Sequence, residues 1–464
     1  MIRFGTAGWR GIISDEFTFS NVRLVSQAIA NYYARERPPG NGIVIGFDTR
    51  FLSEKFAGEC ARIISNHRLP AFLTDRDAPT PALAAAIIRK EALAGINFTA
   101  SHNPPEYSGL KLSTNRGAPA LPELTEQIER EIRKLEAHPP TFYYLDEELI
   151  EEFSPQEIYL NLLNNTVRTD RLNSSLKIVV DTLWGTARDY LDRFFVERGC
   201  TVEVIHNFRD PYFGGYGPEA SEENLQELKS LVVSKGFNLG VSTDGDADRF
   251  GIIDSDGTFI TPNETLALLL DYLIADRKWK GSVARSVATT HLIDAIAEKH
   301  GMPVIVTPVG FKFLAELFLD GKIVLGCEES AGLSVQGHLP EKDGILTCAL
   351  VAEMMASRQA SLKTQLAQLY KTYGYRKSER KSYKFSEQLA ARIRDLISHP
   401  PKTFSGKQVV NVNTIDGLKL VLEDGSWVLV RVSGTEQLVR VYAESDNPET
   451  LNKLMRSSEA LLHQ

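Results

Sequence analysis

Three stretches of this chain repeat one pattern: an apolar strand, a turn of small residues, an amphipathic helix and a second strand. They limit the possible folds more than any other feature. The copies are GIVIGFDTRFLSEKFAGECARIISNHRLPAFLTD at 42–75, LKIVVDTLWGTARDYLDRFFVERGCTVEVIH at 176–206 and GSVARSVATTHLIDAIAEKHGMPVIVTPVG at 281–310. Each has roughly the 30 residues of a strand–helix–strand unit, whose crossover between parallel strands is right-handed. In the first copy Ala57, Cys60, Ala61 and Ile64 fall at helical spacing, so one helix face meets the sheet. A chain of 464 residues exceeds what a single core serves. The repeat therefore predicts three tandem, related α/β/α domains instead of one large sheet.

Breaks in the pattern set the expected boundaries. A charged helix at 126–137 ends at His138-Pro139-Pro140, where proline cannot continue it, and a linker near 140–155 follows. The strand FGIID and the turn DSDG at 254–257 close the second unit. The domains are then expected at 1–145, 146–257 and 258–372. From 373 to 464 the pattern changes. A helix around 385–398 stops at His399-Pro400-Pro401, alternating strands follow in GLKLVLEDGSWVLVRVSG and QLVRVYAES, and a terminal helix starts at about 447. The expected fold class is α/β: three tandem α/β/α domains plus a C-terminal α+β domain with an antiparallel sheet.

Lys and Arg number 52 against 60 Asp and Glu, a net charge of −8, and no run of five or six basic residues marks a nucleic-acid or membrane footprint. Small anions can still bind through local basic side chains and backbone N–H groups. The N-terminus MIRFGTAGWRG lacks an apolar signal core, and the apolar stretch at 264–275 is short and broken by Asp271. Cys60, Cys200, Cys327 and Cys348 show no C-x-x-C pairing. The expectation is a cytoplasmic protein with four free thiols, a monomer or homodimer, binding neither nucleic acid nor membrane.

Chemistry concentrates in loops. In DGDADR at 244–249, Asp244, Asp246 and Asp248 alternate, so an extended segment would point all three carboxylates to one side. Three such charges raise each other's pKa unless a cation sits among them. A hard divalent ion, Mg²⁺, suits oxygen ligands of this kind; a solvated acidic turn is the plainer alternative. An EF-hand fails on spacing, with Arg249 where the loop needs glycine and Ser255 where it needs glutamate. NFTASHNPPEYSGLK at 97–111 places the Ser101 hydroxyl on a stiff, exposed turn, with His102, Asn103 and Lys111 as nearby donors. His102 reads equally as a ring bracing the loop, and the Lys111 stem could pack over Tyr107. RVSGTE at 431–436 combines Arg431, Ser433 and Thr435 with unhindered N–H groups at Gly434, a set able to surround a dianion.

In this order, the Ser101 segment resembles the active-serine signature of the α-D-phosphohexomutases, DGDADR their metal loop, GCEESAG at 326–332 their sugar loop and RVSGTE their phosphate loop. The opening GTAGWRG resembles the loop whose arginine, Arg10 in this sequence, faces the phosphoserine. The resemblance covers essentially the whole chain. It implies that Ser101 carries the phosphoryl group and joins the three aspartates on one Mg²⁺, with Lys111, His102 and Arg10 in catalysis. It also implies sugar or phosphate contacts from Arg249, Glu328, Ser330, Gly310 in TPVGFKF and Lys342 in EKDG, with Glu328 favoured over Glu329. The reaction implied moves phosphate between two hydroxyls of a hexose phosphate through glucose 1,6-bisphosphate, which also serves as activator. The EES form of the sugar loop resembles phosphoglucomutases, which favours glucose phosphate over mannose or glucosamine phosphate. A Mg²⁺-dependent phosphatase and a non-catalytic sugar-phosphate sensor are the competing classes.

Overall fold

The structure, a computed structural model, describes residues 2–5, 8–36, 38–138, 147–434 and 437–463. Each repeat folds as a parallel pair joined by a helix. Ile43–Phe47 pairs with Ala71–Thr74 across helix Ser53–Asn66, and Lys177–Asp181 with Thr201–Ile205 across Leu191–Glu197. Ser282–Ser286 pairs with Val304–Thr307 across Leu292–Lys299. Ile43–Phe47 is buried along its whole length, as a strand covered on both faces must be.

The first sheet runs in the order Trp9–Ile12, Tyr107–Thr114, Ala94–Phe98, Ile43–Phe47, Ala71–Thr74, Ile150–Phe153. Its last strand lies beyond the boundary expected at 145, inside the stretch read as a linker, of which 140–146 fall outside the described residues. IEEF carries two carboxylates and a single apolar pair, too little to register as a strand in sequence. The second sheet likewise extends past 257, because Phe259–Ile260 pairs with Phe250–Asp254.

The domains are less separate than a tandem reading suggests. The second and third share one continuous core, in which Ile178 and Val241 of one sheet and Val283 and Leu325 of the next join Leu346, Leu350 and Met354. These last three lie on Gly344–Arg358, a helix too apolar for one exposed face, and it fills the space between the two sheets.

The fourth sheet is antiparallel throughout, in the order Lys377–Lys384, Leu438–Ser445, Trp427–Val432, Leu418–Leu422, Lys407–Asn413, Thr403–Phe404. Helices Glu387–Ser398 and Pro448–His463 cover one face through Ile393, Leu396, Leu451 and Leu454. The other face meets the third domain, where Trp427, Leu429 and Tyr442 pack on Val287 and Ala288. The edge strand KSERKSYK is too polar to show as a strand, and such charge is how sheet edges avoid unwanted pairing. All four cysteines are free and buried, and no described helix is long and apolar enough to cross a membrane.

Candidate active site

Ser101 lies in the connection between Ala94–Phe98 and Tyr107–Thr114, the third and second strands of the first sheet. Contrary to the expected exposed turn, it is only 1% exposed, and its φ of 55° is left-handed. Arg50 explains both. Fully buried and paired with Asp48 at 3.0 Å, it donates to the carbonyl oxygens of Ser101 and Asn103 at 2.7 Å, Pro104 at 2.8 Å and Tyr107 at 3.0 Å. Its guanidinium also lies 5.0 Å from the ring centre of Phe213 in the second domain. One planar fork thus gathers the whole loop, a geometry that a lysine ammonium cannot reproduce. We expect Arg50→Lys to lower kcat at least tenfold, by about the value of one charged hydrogen bond. KM should move little; a proportionate rise in KM with kcat unchanged would place Arg50 in substrate binding instead.

The three aspartates converge, but not by alternation along an extended strand. Residues 244–249 form a tight turn between Leu239–Thr243 and Phe250–Asp254, with Ala247 left-handed at φ 60°. Asp244 Oδ1 accepts the N–H groups of Asp248 and Arg249, both at 3.0 Å, which folds the turn over its own first carboxylate. The three carboxylates then lie within 4.8 Å of one another, all fully buried. Helix Gly344–Arg358 seals the turn from behind. Gly344 is obligatory there, since a Cβ would stand 2.1 Å from the Arg249 carbonyl oxygen.

The Ser101 hydroxyl donates to Asp244 Oδ2 at 2.8 Å, which brings the serine and aspartate loops together across two domains. Thr80 donates to Asp246 Oδ2 at 2.5 Å. Lys111 Nζ lies 2.5 Å from Asp246 and 2.7 Å from Asp248, and Lys342 also pairs with Asp248. Burial and the neighbouring carboxylates push the Asp244 carboxyl up to about 8. Burial opposes ionisation of Asp246 and Asp248 too, yet both sit below the usual range because Lys111 and Lys342 outweigh it. Asp246 Oδ1 and Asp248 Oδ1 are buried with no hydrogen-bond partner, Arg249 Nε standing 4.0 Å from the latter. Orphaned carboxylate oxygens beside a serine hydroxyl form a hard, all-oxygen donor set, which fits Mg²⁺.

A single cleft receives most of the remaining residues that the sequence pointed to. Arg10, His102, Lys111, Arg249, Gly310, Glu328, Ser330, Lys342, Arg431, Ser433 and Gly434 all line it, while Thr435 lies outside the described residues. Arg10 donates to Asn103, and burial beside Arg249 lowers its pKa only to about 10, so it stays cationic. His102 is held neutral by burial and by Arg249 and Arg10. The carboxylates hold the Lys111 proton tightly against burial, and the Lys111 ammonium faces them, not Tyr107. Glu328 accepts the Gly310 N–H at 2.6 Å, and burial and Glu329 push it up to about 7. Gly310, expected to meet ligand, spends its N–H on that carboxylate.

On the far wall, Arg431 is 5% exposed and braced by Asp416 at 2.9 Å. Asp416 also accepts the Val309 N–H at 3.0 Å, tying the fourth domain to the third.

Family models for phosphoglucomutase/phosphomannomutase match this chain in order: alpha/beta/alpha domain I over 1–139, domain II over 157–257, domain III over 261–373 and the C-terminal domain over 379–459. The chain belongs to the phosphoglucomutase/phosphomannomutase family. It is 31% identical to a phosphoglucomutase/phosphomannomutase of Thermococcus kodakarensis, over 99% of this chain and 98% of that one. A protein of Methanothermobacter thermautotrophicus provisionally assigned as phosphoglucosamine mutase is 30% identical over 96% of this chain and 94% of that one. A solved structure from Thermus thermophilus, provisionally assigned as a phosphomannomutase, superimposes with a TM-score of 0.86 at 31% identity, covering 100% of this chain and 99% of that chain.

Several residues of this phosphohexomutase site were not legible beforehand. Arg440 faces Arg431 across adjacent strands and lines the cleft, as does Lys312, whose ammonium burial pulls down. Alternation in QLVRVYAES could have placed Arg440 on the face of Arg431. Nothing in sequence singles out Arg50, Thr80 or Asp416: Arg50 reaches Ser101 across 51 positions, Thr80 reaches Asp246 across 166 and Asp416 reaches Val309 across 107, separations on the order of whole domains.

Proposed function

We propose that this phosphohexomutase interconverts glucose 1-phosphate and glucose 6-phosphate through phospho-Ser101 and a glucose 1,6-bisphosphate intermediate. The observation that carries the reading is the pairing of one serine at a buried carboxylate turn with a separate wall carrying Arg431 and Arg440, with Ser433 beside them, across the same cleft. A hydrolase needs only the first. A mutase must hold the phosphate that is not reacting while presenting either C1 or C6 to one hydroxyl, and phosphoryl transfer depends mainly on such positioning and charge stabilisation.

Asp244, Asp246, Asp248 and Ser101 would hold Mg²⁺, which neutralises phosphoryl charge when bound. Lys111 and Lys342 add positive charge on the same side, and Arg10 lies against the serine loop. Glu328 and Ser330 would meet the sugar hydroxyls in both orientations. Arg431→Ala should raise KM for both hexose 1- and 6-phosphates by about one to two orders of magnitude, the worth of a charged hydrogen bond. Unchanged KM in both directions would remove the fourth domain from substrate binding and favour a phosphatase.

A glucosamine phosphate substrate is the second reading. It is supported by the relatives named as phosphoglucosamine mutases and by the Glu329 carboxylate at the cleft, which suits an ammonium as well as a hydroxyl. The deciding measurement compares kcat/KM for glucose, mannose and glucosamine 1-phosphates, with Mg²⁺ and a trace of the matching bisphosphate, reading the 6-phosphate against free phosphate. Faster conversion of glucosamine phosphate would replace glucose in the proposal, and free phosphate as main product would reject the mutase.

A further inference from the structure

Beyond Glu329 and Ser330 the cleft continues into a second chamber of about 510 Å³, with Arg249, Glu329 and Ser330 bordering both spaces. That volume is in the range of small-molecule sites. One wall is the sheet face that carries Arg431. In the strand pairing Arg431 lies opposite Arg440, and one step along, Tyr442 lies opposite Arg380. Residues two apart on a strand share a face, so Arg431, Arg440, Tyr442 and Arg380 form one continuous band of donors from the cleft into the chamber.

Two features of the band's far end point to an anion. Tyr442 is 3% exposed and borders the chamber, yet its hydroxyl has no hydrogen-bond partner. A buried phenol ordinarily finds one. Burial and Glu329 push its pKa up to about 12, so the group remains a donor. Arg380 borders the same space and forms no ion pair among the described residues. Most acids of the chamber are engaged: Glu329 by Ser286 at 2.9 Å, Glu264 by Tyr370 at 2.9 Å, Glu219 near Arg249 at 3.7 Å and Glu222 near Lys229 at 3.5 Å. Glu379 also borders the chamber, but as the neighbour of Arg380 on one strand it projects to the opposite face.

We propose that Arg380 and Tyr442 form a second phosphoryl-binding subsite, where one phosphate of the hexose bisphosphate rests while the sugar turns between its two binding modes. The inference builds on the mutase reading above. The turn requires the phosphate held at Arg431 to leave that wall, and a dianion released there would escape to solvent. Neighbouring donors on the same face offer a relay instead: Arg440 lies directly opposite Arg431, and Tyr442 lies diagonally from Arg431, roughly 7–8 Å away by the usual spacing of such positions.

Arg380→Gln and Tyr442→Phe test this with little risk to the fold, since Arg380 is exposed and the Tyr442 hydroxyl is unpartnered. Protein phosphorylated with labelled phosphate at Ser101 is mixed with hexose monophosphate. Both the transfer rate and the labelled bisphosphate released per monophosphate formed are measured. Each variant should release bisphosphate about tenfold more often, the effect of one lost charged hydrogen bond, with the transfer rate unchanged. Release equal to wild type in both variants overturns the subsite. A transfer rate that falls in step with any change in release also overturns it, since the residues would then serve the chemical step. Failure of the mutase reading looks different: wild-type protein would then form no monophosphate isomer at all.

Discussion

Ser101→Ala should lose turnover by at least about four orders of magnitude, as the removal of an essential nucleophile does. Its fold should survive. The substitution deletes one hydrogen bond, to Asp244 at 2.8 Å, worth about 1 kcal/mol. The left-handed φ of 55° adds a control: Ser101→Gly relieves backbone strain that alanine retains, so it should be at least as stable as Ser101→Ala and equally inactive. Turnover is followed in the coupled glucose 6-phosphate assay and folding by thermal melting. Labelled phosphate from glucose 1,6-bisphosphate should enter the wild type and neither variant. Activity in either variant near the wild-type level would show that Ser101 is not the carrier.

Asp246→Asn should raise the Mg²⁺ concentration needed for half-maximal rate by at least about tenfold, because affinity at oxygen sites follows the charge of the ligands. The change keeps the side chain's size, and the Thr80 hydroxyl can still donate to the remaining oxygen. Asp244→Asn should act on the metal and on the turn together, since Asp244 accepts from Asp248, Arg249 and Ser101. Titration calorimetry with Mg²⁺ separates binding from turnover. Unchanged Mg²⁺ dependence in both variants would rule out the carboxylate turn as the metal site and leave Lys111, Lys342 and Arg249 as its counter-charges.

Sequence placed the three parallel units because their signal is local: an apolar strand, a turn and one apolar helix face lie within about 30 consecutive residues. The Ser101 loop, the aspartate turn, GCEESAG and RVSGTE were legible for the same reason, each carrying its chemistry in a handful of adjacent positions. The three aspartates converge, as expected, but through a turn folded onto Asp244 instead of an extended alternation. The polar strands Ile150–Phe153 and Lys377–Lys384 escaped because edge positions need no apolar run.

Tertiary structure alone decided how these loops meet. Ser101 reaches Asp244 across 143 positions, Lys111 reaches Asp246 across 135, and Lys342 reaches Asp248 across 94. Arg50 buries a serine that its own prolines would have left exposed. Gly344 and the apolar helix behind it merge two domains that the repeat presents as separate. Local composition fixes which groups are available, because strand, turn and helix preferences act over a few residues. Which of them share one cleft depends on packing between distant segments, and that packing leaves no periodic trace in the chain.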